Sequence, residues 1–315
     1  MQAIDALDEH EEHDDENTPS RQEAAKRSTL VSVVVNIGLT IGQVSTGILA
    51  GSAGLIADGI HSLSDLVADF VVLFANHHSQ KAPDDDHHYG HQRYENAASL
   101  TLGLLLLAVG IGMLWGAFHK IEQPEAIQPV KSVAIWVALA ALAAKETLFR
   151  YMLNVAQKVR SSMLIANAWH ARSDAAASLV VAIGIAGSLM GYPMLDPLAA
   201  MIVGFMVTKM GWGFAWDALH DLMDRAVDDE TVQAIRVTLT ETPGVLGWHD
   251  LKTRKAGDLI LADVHLEIDA DMTVEQGHDI AFDARRRVME RHAVLNLMTH
   301  VDPLRIRPSP PQGTA

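Results

Sequence analysis

"SLTLGLLLLAVGIGMLWGAF", residues 99–118, runs twenty positions without a charged side chain. Crossing the hydrocarbon core of a bilayer takes about 20 mainly apolar residues. No water is available there, so such a run must close its backbone hydrogen bonds internally, as a helix. "LVSVVVNIGLTIGQVSTGILA", residues 30–50, has the same texture. Six stretches of this kind are expected to span, at roughly 30–50, 54–76, 97–118, 130–153, 167–190 and 195–216. The second, fourth and fifth carry ionisable residues, which lowers their plain hydropathy. The chain is 49% hydrophobic over 315 residues, and the clustering of those residues is what predicts an α-helical membrane protein with six transmembrane helices.

Lysine and arginine near the spans set orientation. Arg21, Lys26 and Arg27 precede the first span, Lys81 and Arg93 lie between the second and third, and Lys158 and Arg160 lie between the fourth and fifth. "GSAG" at 51–54 and "GYPML" at 191–195 carry neither residue. The connection with Lys120 and Lys131 is a weaker exception. Both termini are therefore expected in the cytoplasm. Residues 1–27, acidic and poor in apolar side chains, read as a disordered tail rather than a signal peptide. His10 and His13 within it read as solvated, with weak metal binding as the alternative.

Beyond the sixth span the texture becomes that of a soluble domain. "DDETVQAIRVTLTETPG" predicts a helix through Val232, Ile235, Val237 and Leu239, ended by Pro243-Gly244. "VLGWHDLKTRKAGDLILADVHLEID" reads as two strands around "KAGD", the second alternating imperfectly through Leu259, Leu261, Val264 and Leu266. "TVEQGHDIAFDARRRVMERH" is a helix with a threonine cap, and "AVLNLMTHVDP" a last strand. The order is α-β-β-α-β. The organisation expected is a tail (1–27), a membrane domain (28–217), a cytoplasmic domain (218–308) and a short tail (309–315).

Two of the spans that carry ionisable residues share one motif. "HSLSD" places His61 and Asp65 in the second, and "HARSD" places His170 and Asp174 in the fifth. Ionisable groups within spans cost roughly 2.5–3.5 kcal/mol each on insertion scales and normally face a bundle interior. Residues four apart share a helix face, so each pair points one way. Facing each other, they offer two nitrogens and two oxygens, the set a tetrahedral Zn²⁺ accepts. One such pair alone reads as an intrahelical hydrogen bond; two in different spans read as a metal site. The chain has no cysteine and 16 histidines, which excludes thiolate sites and argues against Cu(I). Asp58 shares a face with His61 and reads equally as ligand or as polar packing. Asp69 and Lys145–Glu146 read as charge partners in the bundle. "PDDDHHYGH", residues 83–91, is a dense ligand cluster that reads equally as a solvated loop.

At these residues the sequence resembles the cation diffusion facilitator family, divalent-metal/proton antiporters with six spans and a cytoplasmic domain resembling a metallochaperone. The likeness covers roughly residues 28–308, through "ADGIHSLSDLVADFVVL", "PDDDHHYGHQRYEN", "NAWHARSDAAASL", "PGVLGWHDLKTRKAGD" and "THVDP". It is nearest to the bacterial YiiP-like zinc and iron efflux branch. The resemblance implies a transport site of His61, Asp65, His170 and Asp174 and a loop site of Asp84, His87 and His91. It also implies a cytoplasmic binuclear site of His249, His265, His278, His300 and Asp302, with Asp302 bridging. Arg93, Asp224 and Arg225 match charges that interlock the third and sixth spans. Close relatives often have Asp at the position of His61, and the histidine moves this chain toward the family's zinc form.

The same resemblance implies a Zn²⁺/H⁺ antiporter, homodimeric, multi-pass in a bacterial inner membrane, with Zn²⁺ as cargo and regulator and no nucleic-acid partner. Fe²⁺, Co²⁺, Ni²⁺ or Cd²⁺ export is the alternative cargo, and a non-transporting metal sensor or scaffold the alternative class. An intramembrane metallohydrolase would need a base beside its ligands, as in H-E-x-x-H; neither motif has one, so no enzyme is expected.

Overall fold

The computed structural model describes residues 19–127, 129–158 and 162–305. His10, His13 and the greater part of the two expected tails lie outside the described residues. Eight helices and three strands follow one another within them: α1 (Pro19–Ala50), α2 (Ala53–Ser79), α3 (Arg93–Glu122), α4 (Val133–Lys158), α5 (Ser162–Leu189), α6 (Leu195–Leu222), α7 (Asp229–Thr240), β1 (Gly247–Ala256), β2 (Leu259–Asp269), α8 (Val274–Arg291) and β3 (Val294–Leu304). A single 3-10 turn, Pro124–Ala126, separates α3 from α4. α1 starts at Pro19, inside the stretch expected to be a tail, and α6 runs on to Leu222.

The chain divides into two compact units. The first holds residues 19–69 and 106–210 among those described, and its interior is built largely of small side chains. Ala57, Ala134, Ala138, Ala182 and Ala200 are buried with Leu55, Val181, Ile185 and Val203. Small residues let helix backbones approach closely where lipid gives no hydrophobic drive between helices. At Gly110 an added Cβ would lie 2.7 Å from the backbone nitrogen of Thr208, so α3 and α6 touch there only because the glycine is bare. The outward faces carry large apolar residues, among them Val34, Ile41 and Ile48 on α1 and Ile111 and Trp115 on α3. Continuous apolar surface on this scale is anomalous in water and ordinary against lipid.

Among the described residues, four segments are long and apolar enough to cross a membrane: Leu30–Ala50, Arg93–Glu122, Ala168–Leu189 and Leu195–Leu222. α5 qualifies despite its ionisable pair. α2 and α4 are long enough, at 27 and 26 residues, but Asp58, Asp65 and Asp69 in one and Lys145, Glu146 and Arg150 in the other break the apolar window.

The N-terminus of α2 is capped by a residue far away in sequence. Asp196, at the start of α6, accepts hydrogen bonds from Ser52 Oγ (2.5 Å), Ala53 N (2.6 Å) and Gly54 N (3.2 Å). It satisfies otherwise orphaned helix donors and puts a carboxylate at the positive end of the helix dipole.

The second unit contains residues 70–105 and 211–305 of those described. Its sheet has the order β1-β2-β3; β1 pairs antiparallel with β2, and β2 pairs parallel with β3 across the α8 crossover. α7 is capped by Asp228 and α8 by a Thr273–Gln276 capping box. The buried face of β2 is Ile260, Ala262, Val264, Leu266 and Ile268, so the expected phase through Leu259 and Leu261 is corrected: those two lie on the opposite face. On α7, Ile235 and Leu239 are buried while Val237 is exposed, because only the pair four residues apart shares a face. The β1–β2 turn reaches the start of α3, where Gly257 N donates to Asn96 Oδ1 at 3.1 Å.

Two carboxylates make this domain sensitive to acid. The backbone N–H of Thr231 holds Asp228 below the usual carboxylate range, and the Arg287 guanidinium does the same for Asp283. Folded values below unfolded ones mean that the unfolded chain takes up protons first as pH falls. The stabilisation is therefore full above about pH 4, the ordinary aspartate value, and is lost as pH falls through the folded values. Thermal unfolding of this domain is expected to shift down in temperature below that pH. Asp283→Asn should lower the neutral-pH midpoint slightly and flatten the acid limb; an unchanged limb would show that Asp283 is not responsible.

Candidate metal centres

Three groups of imidazoles and carboxylates converge among the described residues. The first lies in the helical unit. His61 is buried, at 4% exposure. Its Nδ1 lies 3.7 Å from Asp65 Oδ2 on the same helix, and its Nε2 lies 3.6 Å from Asp174 Oδ1 on α5. Both separations exceed a hydrogen bond. The two contacts use opposite nitrogens of one imidazole, so a shared cation would take only one of them; one ligand atom from each of the three residues lies within 4.8 Å of the others, close enough for a single ion to gather. His61 Nδ1 is buried without a hydrogen-bond partner. His170, the fourth residue implied by the motif, is exposed and stands outside this three-residue group. It remains within electrostatic reach of Asp65, Asp69 and Asp174.

Asp58 does not ligate with them. Lys145 Nζ donates to its Oδ1 at 2.9 Å, and Ser178 Oγ donates to its Oδ2 at 2.7 Å. Gln43 Nε2 donates to the same Oδ2. All four side chains are buried. Removing one partner of such a pair costs about 3–5 kcal/mol, because the other charge is left buried and uncompensated. Gln43, a long polar side chain in the apolar run of residues 30–50, and Ser178, four residues past Asp174, were the available sequence signals for this network. Glu146 turns instead to Arg150, at 2.8 Å on its own helix.

The second group lies between α2 and α3. Asp84 Oδ1 accepts from the backbone N–H groups of His87 (2.7 Å) and Asp86 (3.1 Å), folding the loop back on itself. The His87 N–H holds the Asp84 carboxyl below its usual range. Its two oxygens face His87 Nδ1 and His91 Nε2, each at 3.4 Å. His91 is 7% exposed and its Nδ1 has no hydrogen-bond partner. Arg93, the first residue of α3, pairs with Asp224 just after α6. Arg225 pairs with Asp217 and Asp221 at 3.0 and 2.9 Å and so closes the end of α6 rather than joining Arg93.

The third group sits on the sheet face turned away from α8. Asp302 Oδ2 lies 2.9 Å from His265 Nδ1 and 3.1 Å from His249 Nε2, and its Oδ1 lies 3.4 Å from His300 Nε2. The His265 hydrogen bond and the three imidazoles hold Asp302 below the usual range. A bulge after His249, with Asp250 at φ 51°, aims that ring at the aspartate. His278 is elsewhere. It lies on α8, whose Gly277 packs against Ile268 and Val301 on the opposite sheet face. Within one chain, His278 and Asp302 are separated by the sheet.

Long helices with lipid-type apolar outer faces, and imidazoles and carboxylates converging between two of them, define a multi-pass membrane protein with a candidate cation site in its interior. Residues 29–223 match the family model of the cation efflux transmembrane domain, and residues 227–304 match the cation efflux protein cytoplasmic domain. Metal tolerance protein 2 of Oryza sativa subsp. japonica is 33% identical over 309 residues, covering 90% of this chain and 79% of that protein. The manganese efflux system protein MneS of Bacillus subtilis is 32% identical over 275 residues, covering 87% and 94%. Among solved structures, the metal-bound C-terminal domain of the CzcD transporter from Thermotoga maritima is 23% identical with a TM-score of 0.23, covering 24% of this chain and 87% of that one. The chain belongs to the cation efflux, or cation diffusion facilitator, family: transporters of divalent metals, not enzymes. The match to the family's cytoplasmic domain supports a homodimeric assembly.

Proposed function

We propose that the protein exports Zn²⁺ in exchange for protons, by alternating access around His61, Asp65, His170 and Asp174. The observation that carries this reading is the His61–Asp65–Asp174 group, with one ligand atom from each within 4.8 Å of the others around a buried imidazole whose Nδ1 has no hydrogen-bond partner. His170 completes the quartet when its imidazole turns inward. On the cytoplasmic side the ion takes the imidazole and carboxylate lone pairs; on the far side protons compete for the same lone pairs and release it. The net charge of −15 favours cations at the entrance. On this reading both termini are cytoplasmic, the membrane is a bacterial inner membrane, and the membrane and cytoplasmic domains meet near residues 217 and 218.

The loop group of Asp84, His87 and His91 and the cytoplasmic group around Asp302 are read as sites for the same ion that lie off the permeation path. A second cytoplasmic ion using His278, His300 and Asp302 requires His278 from another copy, which the homodimer supplies. Asp302→Ala should weaken Zn²⁺ binding measured by calorimetry on the full-length protein and lower its binding stoichiometry. Transport should fall only in part, because the intramembrane group is intact. Unaltered stoichiometry and affinity would remove Asp302 from any metal site.

Manganese is the second cargo reading, favoured by the relative named for manganese efflux. Metal-competition flux into proteoliposomes with an imposed pH gradient separates the two. Zn²⁺ is expected to outcompete Mn²⁺; a preference for Mn²⁺ would replace zinc in this proposal.

A further inference from the structure

The metal site itself does not tie α2 to α5, since His61 stands 3.6 Å from Asp174, beyond hydrogen-bonding range. One turn away, another group does. Asp58 is three residues before His61, and Ser178 is four residues after Asp174, so both lie on the faces that carry the ligands. The Asp58 carboxylate accepts from Gln43 on α1, Lys145 on α4 and Ser178 on α5, which joins four helices at one fully buried carboxylate. A buried ion pair is a poor source of net stability, and its best-attested use is to fix register.

We propose that Lys145 and Ser178 are positioning residues for metal loading. Acting through Asp58, they hold α5 against α2 so that Asp174 stays opposite His61 when no cation bridges them. The proposal rests on the reading that His61, Asp65 and Asp174 take the transported ion. Loss of this tie acts on the empty site: an arriving metal must first draw the helices into register. Once bound, the metal supplies the tie, and the loaded protein moves as before. The half-saturating metal concentration therefore rises while the maximal rate holds.

The test uses the full-length protein in liposomes, with Zn²⁺ as the probe and initial rates followed across its concentration. Ser178→Ala is expected to raise half-saturation about tenfold, as for loss of one hydrogen bond to a charged group, with little change in maximal rate. Ser178→Thr, which keeps the hydroxyl, should restore the wild-type value, and Lys145→Met should exceed Ser178→Ala. If Lys145→Met does not fold, the two Ser178 variants decide alone. A purely structural role would lower the maximal rate by reducing the number of active molecules and leave half-saturation in place; that result, or no change in Ser178→Ala, overturns the proposal. Should the wild type carry no Zn²⁺, the transport reading fails separately. The positioning role is then read from Zn²⁺ calorimetry on the same variants, where unaltered affinity in Ser178→Ala overturns it.

Discussion

Asp174→Ala is expected to abolish Zn²⁺ flux while the protein stays folded. Asp174 approaches His61 at 3.6 Å and stands apart from the Asp58 network, so its removal leaves the ties between the helices in place. What it removes is a ligand. Disturbing groups that merely orient a metal ligand typically costs 10–100-fold in affinity or activity, and loss of the ligand itself should exceed that range, roughly a hundredfold or more. Asp65→Ala should behave alike. The comparison requires purified protein of matched insertion, assayed in proteoliposomes. Wild-type flux in Asp174→Ala would remove the residue from the transport site.

The second large effect is on selectivity. His61→Asp exchanges the buried imidazole for a third carboxylate beside Asp65 and Asp174. Nitrogen ligands suit Zn²⁺, and harder ions such as Mn²⁺ prefer oxygen. The ratio of Zn²⁺ to Mn²⁺ rates should fall by about tenfold, equivalent to 1.4 kcal/mol of discrimination. Relative initial rates for Zn²⁺, Cd²⁺, Fe²⁺ and Mn²⁺ measure it. Ratios equal to those of the wild type would mean that His61 does not choose the ion.

Much of this architecture is legible in sequence because it is local. Apolar runs report spans, the i, i+4 rule places His61 with Asp65, and the threonine cap announces the start of α8. Where apolar residues occupy both faces, as in "LILADVHLEID", the strand period does not reveal which set is buried, and Leu259 and Leu261 mislead for that reason. The network at Asp58 is half legible: its acid stands out, but Gln43, Lys145 and Ser178 come from three other helices, and no local rule says which helices meet. The Asp196 cap is hidden in the same way, since its partners lie more than a hundred residues away. His278 illustrates the converse: a motif implies a ligand, while the sheet between it and Asp302 sets a condition that a linear pattern does not express.

On the function proposed above, the His61–Asp65–Asp174 group of α2 and α5 carries a divalent cation across the membrane at the expense of a proton gradient. The most direct test is Zn²⁺ movement in proteoliposomes under an imposed pH gradient, with the metal at equal concentration on both sides. The account predicts net Zn²⁺ movement toward the acidic side in wild-type vesicles, with none in Asp174→Ala. Zn²⁺ that stays at equilibrium whatever the pH difference, in vesicles holding correctly inserted protein, would contradict it.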